Sequence, residues 1–311
     1  MKRKPLNLVL TALAMMLLIL DSKGAFAYAA EGVDICLRTV IPSLFPFFVL
    51  SIYLTGNMGS GSVVRSVLIS GFLGGYPVGA QSAAQAFQNG NLSREEANRL
   101  LMFCSQPGPS FLFGLVAAQF PHSKYGWLLW AVILLSGLSV NCIIPSRNLN
   151  RSVRKINAPT SLSAAMKKAT LAMTSVCGWV VLFRVILGFL QRCGLGLLPD
   201  WGQVLISGLL ELANGSLLLT QITSLPLRFL LASVMLNFGG LCVAMQTASV
   251  AEGLNMKGYL FGKLLQTIFS MLYSFVILGH FEALVPVFLL FLLFRRENLR
   301  KRGRFPAPVG V

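Results

Sequence analysis

Two helix breakers stand inside one apolar stretch, and they constrain this chain more than anything else in it. Between Gly71 and Gly114 the sequence reads GFLGGYPVGAQSAAQAFQNGNLSREEANRLLMFCSQPGPSFLFG. The GGYPVG tip (Gly74 to Gly79) and the QPGP run (Gln106 to Pro109) interrupt apolar residues. In a bilayer, broken backbone survives only where protein or a water-filled cavity satisfies the freed N–H and C=O groups. Paired interruptions in the two halves of a chain point to a transporter's binding site.

A second copy is present. Val67-Leu68-Ile69-Ser70-Gly71-Phe72-Leu73 reads almost letter for letter as Val204-Leu205-Ile206-Ser207-Gly208-Leu209-Leu210. The first copy is followed by its tip and the QPGP break, the second by a tip at Asn214-Gly215 and a break at Asn237 to Gly240. The matching order marks an internal repeat.

Composition agrees with a membrane setting. Apolar residues make up 55% of the 311 and charged residues 12%, and the mean hydropathy is +0.72. This excludes an ordinary soluble domain. The net charge of +16 invites a nucleic-acid reading, but its placement opposes one. Lys2, Arg3 and Lys4 open the chain, Arg147 to Lys168 fill one loop, and Arg295 to Arg304 fill the end. Basic clusters beside apolar segments are the positive-inside pattern and would also attract anionic head groups. Cys36, Cys104, Cys142, Cys177, Cys193 and Cys242 lack C-x-x-C spacing and read as reduced, buried small hydrophobes.

The expected fold is an all-α polytopic membrane protein. It has about eight transmembrane helices in two inverted-topology repeats, each with a re-entrant helical hairpin and a broken helix. Residues 1–24 form an amino-terminal span or signal anchor, and residues 2–27 also fit a cleavable signal peptide. The first repeat covers 25–145, a basic cytoplasmic loop 146–165, the second repeat 166–280, and a last span with a basic tail 281–311. Within the first repeat, 28–38 reads as an interfacial amphipathic helix and 40–56 as a span. Val64 to Phe72 reaches only about 14 Å, roughly half the ~30 Å hydrocarbon core. Hence 64–89 is expected to enter and return as a hairpin. Ser93 and Glu96 have capping-box spacing and start a helix expected to run to Ser105, break at QPGP, and resume at Pro109. A span at 127–144 follows. In the second half the expectations are a span at 166–190, a hairpin at 204–223, a broken helix at 227–251 and spans at 259–278 and 281–294. The tail from Arg295 is expected to be disordered. With both termini cytoplasmic, Lys23, Arg38, Lys124, Arg192 and Arg228 fall outside, Arg184 lies within a span, and the rest of the 26 Lys and Arg fall on the cytoplasmic side.

A helix that starts inside a membrane presents free N–H groups and a positive dipole end. Four such starts are expected to converge, near Gly79-Ala80, at Pro109, after Asn214 and near Gly239-Gly240. The candidate substrate-binding side chains are Tyr76, Gln81, Ser82, Ser105, Gln106, Asn214, Ser216, Asn237 and Gln246. The backbone tips are Gly74, Gly75, Gly79, Gly108, Gly215, Gly239 and Gly240. Gly71, Gly75 and Gly79 equally fit close helix packing. Glu211 and Arg184 are the ionisable residues read as deep in apolar segments. Glu211 suits a coupling H+ or Na+ and Arg184 an anionic substrate, or the two pair with each other. His122 and His280 read as interfacial. No nucleophile–base pair, metal-ligand spacing or phosphate loop is recognisable, so no enzyme activity, metal or cofactor is expected. The expected partners are a small solute and the lipid bilayer, without nucleic acid; a homo-oligomer stays open.

The run from Ser70 to Gly114 resembles the YlbJ-type sporulation integral membrane proteins of the nucleoside-recognition (Gate) group. VIPSLFPFFVLS (Val40 to Ser51), LLELANGS (Leu209 to Ser216) and FGGLCVAMQ (Phe238 to Gln246) look like further signatures, and the likeness covers about residues 25–280. That group is similar to concentrative nucleoside transporters. The resemblance implies a permease in the cytoplasmic or forespore membrane of a spore former. Its cargo would be a small polar or anionic organic solute, nucleoside-like or an aromatic carboxylate such as dipicolinate. The alternative is a non-transporting scaffold of a sporulation complex.

Overall fold

A computed structural model describes residues 3–57, 60–144 and 160–303. Every regular element among them is helical. Residues 145–159, most of the expected basic loop, and 304–311 lie outside the described residues.

The chain begins with α1 (Arg3–Leu20) and α2 (Ser22–Ile35), separated at Asp21, whose carboxylate caps α2 by accepting from the Gly24 N–H at 3.1 Å. A π-helical turn (Cys36–Val40) joins α2 directly to α3 (Ile41–Asn57). The turn has a local cause. Pro42 has no N–H to give and its ring crowds the carbonyl four residues back, which one residue of extra winding relieves. The interfacial helix expected at 28–38 is therefore corrected. It belongs to one uninterrupted helical run from Ser22 to Asn57.

Helices α4 (Ser60–Gly74) and α5 (Val78–Gln88) pack against each other across the Gly75-Tyr76-Pro77 turn. The predicted capping box is present at the start of α6 (Arg94–Leu101). Ser93 accepts from the Glu96 N–H and Glu96 from the Ser93 N–H, each at 3.2 Å. Contrary to expectation, α6 ends at Leu101 rather than Ser105, and an extended segment carries the chain to α7 (Pro109–Phe111). A second π turn (Leu112–Val116) follows. Then come α8 (Lys124–Ile143) and α9 (Leu162–Arg192).

In the second half, α10 (Asp200–Leu210) turns at Glu211 into the short α11 (Leu212–Leu217), so the second tip is corrected from Asn214-Gly215, which lie inside α11, to Glu211. Next, α12 (Leu225–Phe238) meets α13 (Gly240–Val250) at a left-handed Gly239, φ +85°. Helices α14 (Met256–Ile277) and α15 (Leu284–Gly303) close the order. Helix continues through the basic residues to Gly303, where the sequence suggests no regular structure.

Among the described residues, five stretches are long and apolar enough to cross a bilayer: Ser22–Asn57, Lys124–Ile143, Leu162–Arg192, Leu225–Val250 and Met256–Ile277. Thr11–Leu20, Val63–Gly74, Pro109–Gln119 and Phe281–Phe294 are apolar but shorter. Large apolar side chains such as Leu17, Leu171, Leu264 and Phe288 are exposed on these helices, as lipid-facing surfaces require.

Small residues set the closest approaches. A Cβ on Gly71 or on Gly79 would overlap the carbonyl oxygen of Cys104, and a Cβ on Gly79 would lie 2.7 Å from the Gly71 Cα. In the second hairpin a Cβ on Gly215 would overlap the Gly208 backbone. The close-packing reading of Gly71 and Gly79 thus holds. We expect Gly71→Ala to destabilise the protein by about 2 kcal/mol through overpacking. Gly178→Ala, where no atom lies within 4 Å of the added carbon, should leave stability unchanged or slightly raised. Thermal unfolding in detergent reads both.

Candidate binding cleft

The first tip is held from two sides. Gly75 sits at φ +84°, and a Cβ there would lie 2.9 Å from the Gly108 nitrogen. Only glycine fits both the turn and the contact. The first tip therefore touches the first break. One residue on, the buried Tyr76 hydroxyl donates to the Leu236 carbonyl at 2.6 Å, and a Cβ on Gly239 would lie 3.2 Å from the tyrosine ring. Tyr76 thus joins the first tip to the second break. The last turn of α10, which leads into the second tip, reaches the second break as well, since a Cβ on Gly240 would sit 2.8 Å from the Gly208 carbonyl oxygen. All four interruptions meet.

Beside this junction lies a small cleft, open at its mouth. Tyr76 of the first tip and Gly108 of the first break line it, as does Glu211 of the second tip. Gln246 comes from α13, Thr39 and Ser43 from the π turn and α3, and Val176 and Val180 from α9. Apolar walls carrying a few polar groups are the usual make-up of a small-molecule site. Ser43 has its own hydroxyl committed to the Thr39 carbonyl at 2.6 Å.

Glu211 is buried and already occupied. Its carboxylate accepts from the Ala213 N–H at 3.0 Å, the Asn214 N–H at 2.7 Å and the Asn214 side-chain amide at 2.6 Å. The chain supplies its own anion to the start of α11, so those N–H groups are not free for a solute.

Tyr76, Gly108, Glu211 and Gln246 of the candidates line the cleft. Asn214 supports Glu211, and Ser216 is turned back onto the Leu212 carbonyl at 2.7 Å. Ser82, Ser105, Gln106 and Asn237 are buried without lining the cleft. Gln106 donates to the Phe103 carbonyl at 2.7 Å, and Asn237 to the Ser233 carbonyl at 3.0 Å. Gln81 is half-buried on α5. Gly74, Gly75, Gly79, Gly215, Gly239 and Gly240 shape turns and close contacts. His122 and His280 are exposed, His280 beside Glu282 at 3.2 Å.

Arg184 is corrected. It pairs with Glu31 of α2 and lies 5.4 Å from the Tyr28 ring centre, so it fastens α9 to α2 and neither lines the cleft nor pairs with Glu211. The sequence reading also missed the most buried cation. Lys263 of α14 is 0% exposed, although the charge tally counted it with the cytoplasmic residues. Its ammonium donates to the Ser105 carbonyl, to Gln266 Oε1 at 2.6 Å and to the Tyr76 hydroxyl at 3.2 Å. The signal was available: Lys263 is the one charged residue in the apolar run from Tyr259 to Leu278, and an ionisable residue within a span marks function by default.

With this geometry in place, likeness to known proteins can be weighed. The chain is 27% identical over 314 aligned residues to the sporulation integral membrane protein YlbJ of Bacillus subtilis (strain 168), covering 80% of this chain and 76% of that one. The match supports a YlbJ-type protein. It agrees with the resemblance carried by the GGYPVG and QPGP motifs, and with the apolar helices it makes this an integral membrane protein. No family model and no solved structure matches the chain.

The ion-pair assignment can be checked by double-mutant cycles on thermal stability. Arg184→Met and Glu31→Gln should be non-additive by up to about 1 kcal/mol, the range for partly exposed pairs. Arg184→Met and Glu211→Gln should add. The reverse pattern would restore the Arg184–Glu211 pair.

Proposed function

We propose that this protein is a secondary carrier for a small polar or anionic organic solute, bound in the cleft where the four interruptions meet. The observation that carries the reading is that convergence. Both tips and the first break line the cleft, and the second break packs against Tyr76 beside it; interruptions gathered in this way are the arrangement of a carrier that moves its tips about a central site. The paired glycines support an internal repeat, because Gly71 with Gly79 and Gly208 with Gly215 make the same backbone approach at matching places in the two copies. On this reading the topology is inverted and built from about eight spans, with both termini cytoplasmic.

The B. subtilis relative, a sporulation integral membrane protein, supports a link to spore formation. The apolar walls and Tyr76 suit a flat, ring-containing solute, nucleoside-like or an aromatic carboxylate such as dipicolinate. A scaffold without transport has no need of a cleft at the junction of four breaks. The purified protein in proteoliposomes, offered uridine and pyridine-2,6-dicarboxylate in separate runs, should accumulate one of them. Glu211→Ala and Gln246→Ala should each cut that flux about tenfold or more, equivalent to ~1.4 kcal/mol of lost interaction. Unchanged flux in both folded variants removes the cleft from the pathway. An anionic cargo predicts that Glu211→Gln tightens binding; a neutral one predicts no gain.

A further inference from the structure

Lys263 combines full burial with an unusual set of partners. Its three N–H groups face three acceptors on three separate elements: the Ser105 carbonyl in the first break, Gln266 on α14 and the Tyr76 hydroxyl at the first tip. Three donors are matched by three acceptors, which is what burying an ammonium demands. No carboxylate pairs with it among the described residues. The titratable groups around it are Tyr76 from the tip, Cys104 from the break and Tyr259 one turn earlier on α14. Of the other helices packed on α14, α6 keeps Arg99 bonded to Asn141 and Glu96 bonded to Ser93, α8 holds Lys124 at its exposed start, and α12 offers serines.

Tyr76 makes this arrangement switchable. Its oxygen accepts from Lys263 while its O–H donates to the Leu236 carbonyl of α12. An ammonium that gives up one proton keeps two N–H groups and exposes a lone pair. The two remaining N–H groups serve Ser105 and Gln266. The lone pair then faces the Tyr76 oxygen and calls for a donor, and the Tyr76 O–H is the group that can point to it. An O–H aimed there gives up the bond to Leu236, which ties the first tip to the second break. Lys263 does not itself line the cleft, so its proton passes to the Tyr76 oxygen as the former Tyr76 hydroxyl proton passes to cleft water, leaving a neutral amine beside a neutral phenol whose O–H points at it.

We propose that Lys263 is the proton-coupling residue of this carrier, and that loss of its proton switches the Tyr76 hydroxyl from Leu236 to Lys263 and frees the first tip. The coupling ion is thus a proton held by lysine, with no Na+ needed at Glu211. This rests on the carrier reading, yet it can be tested without a known solute.

Hydrogen exchange of the full-length protein in nanodiscs, corrected for intrinsic exchange, is followed in peptides spanning 71–79 and 236–242. In the wild type, protection there should fall about tenfold or more between about pH 6 and about pH 9, the range in which a buried amine, unlike one in water, gives up its proton. Lys263→Arg, whose guanidinium keeps its charge, should abolish the pH response. Tyr76→Phe retains the ring but has no O–H to switch, so it should show low protection at both pH values. A flat wild-type profile, or an undiminished pH response in either variant, overturns the proposal. Loss of solute flux with the exchange response intact would remove the carrier reading alone; flux without the response would remove Lys263 alone.

Discussion

A helix interrupted in a bilayer leaves carbonyls and N–H groups that lipid cannot satisfy, and the whole architecture follows from how this chain satisfies them. The Ser105 carbonyl takes the Lys263 ammonium. The Leu236 carbonyl, four residues before Gly240 and its changed backbone, takes the Tyr76 hydroxyl. The first N–H groups of α11 take the Glu211 carboxylate. Tyr76 and Glu211 thus serve interruptions from within interrupted elements, while Lys263 serves one from the continuous α14. That reciprocity brings them to one place and leaves a cleft beside them.

The glycines make the reciprocity possible. Backbone must meet backbone for one break to serve another, and any Cβ at Gly71, Gly79 or Gly215 would prevent the approach. Packing of this kind suits a membrane, where apolar side chains gain little by leaving lipid and close van der Waals contact does more of the work. Charged groups divide into two sorts. Arg184 and Arg192 reach carboxylates on the amino-terminal helix pair and fasten it to α9, whereas Glu211 and Lys263 sit at the interruptions.

Much of this was legible in the sequence because breakers are local. Gly75 with Tyr76 and Pro77, the QPGP run and Gly239-Gly240 each announce where helix ends, and the Ser93–Glu96 cap was readable from spacing alone. Partners across the fold were not. Nothing local says that Arg184 finds Glu31 from 153 residues away, or that Lys263 faces inward near the start of α14 rather than reaching for the surface. The π turn at Cys36–Val40 also hid the continuity of Ser22–Asn57, because Pro42 and Pro46 read as a fresh start, whereas the wider turn accommodates Pro42 and Pro46 sits inside α3. The tail misled in the opposite sense, its charge density suggesting no regular structure where α15 continues to Gly303.

The central claim is that the four interruptions lie together at one depth in the bilayer. Spin labels at exposed positions beside each of them, Leu73, Ser110, Leu217 and Leu241, report that depth through their relative accessibility to oxygen and to an aqueous nickel complex. The account predicts that all four are oxygen-accessible, shielded from nickel, and within about one helical turn, ~5 Å, of a common depth. Labels scattered from the head groups to the centre would contradict it.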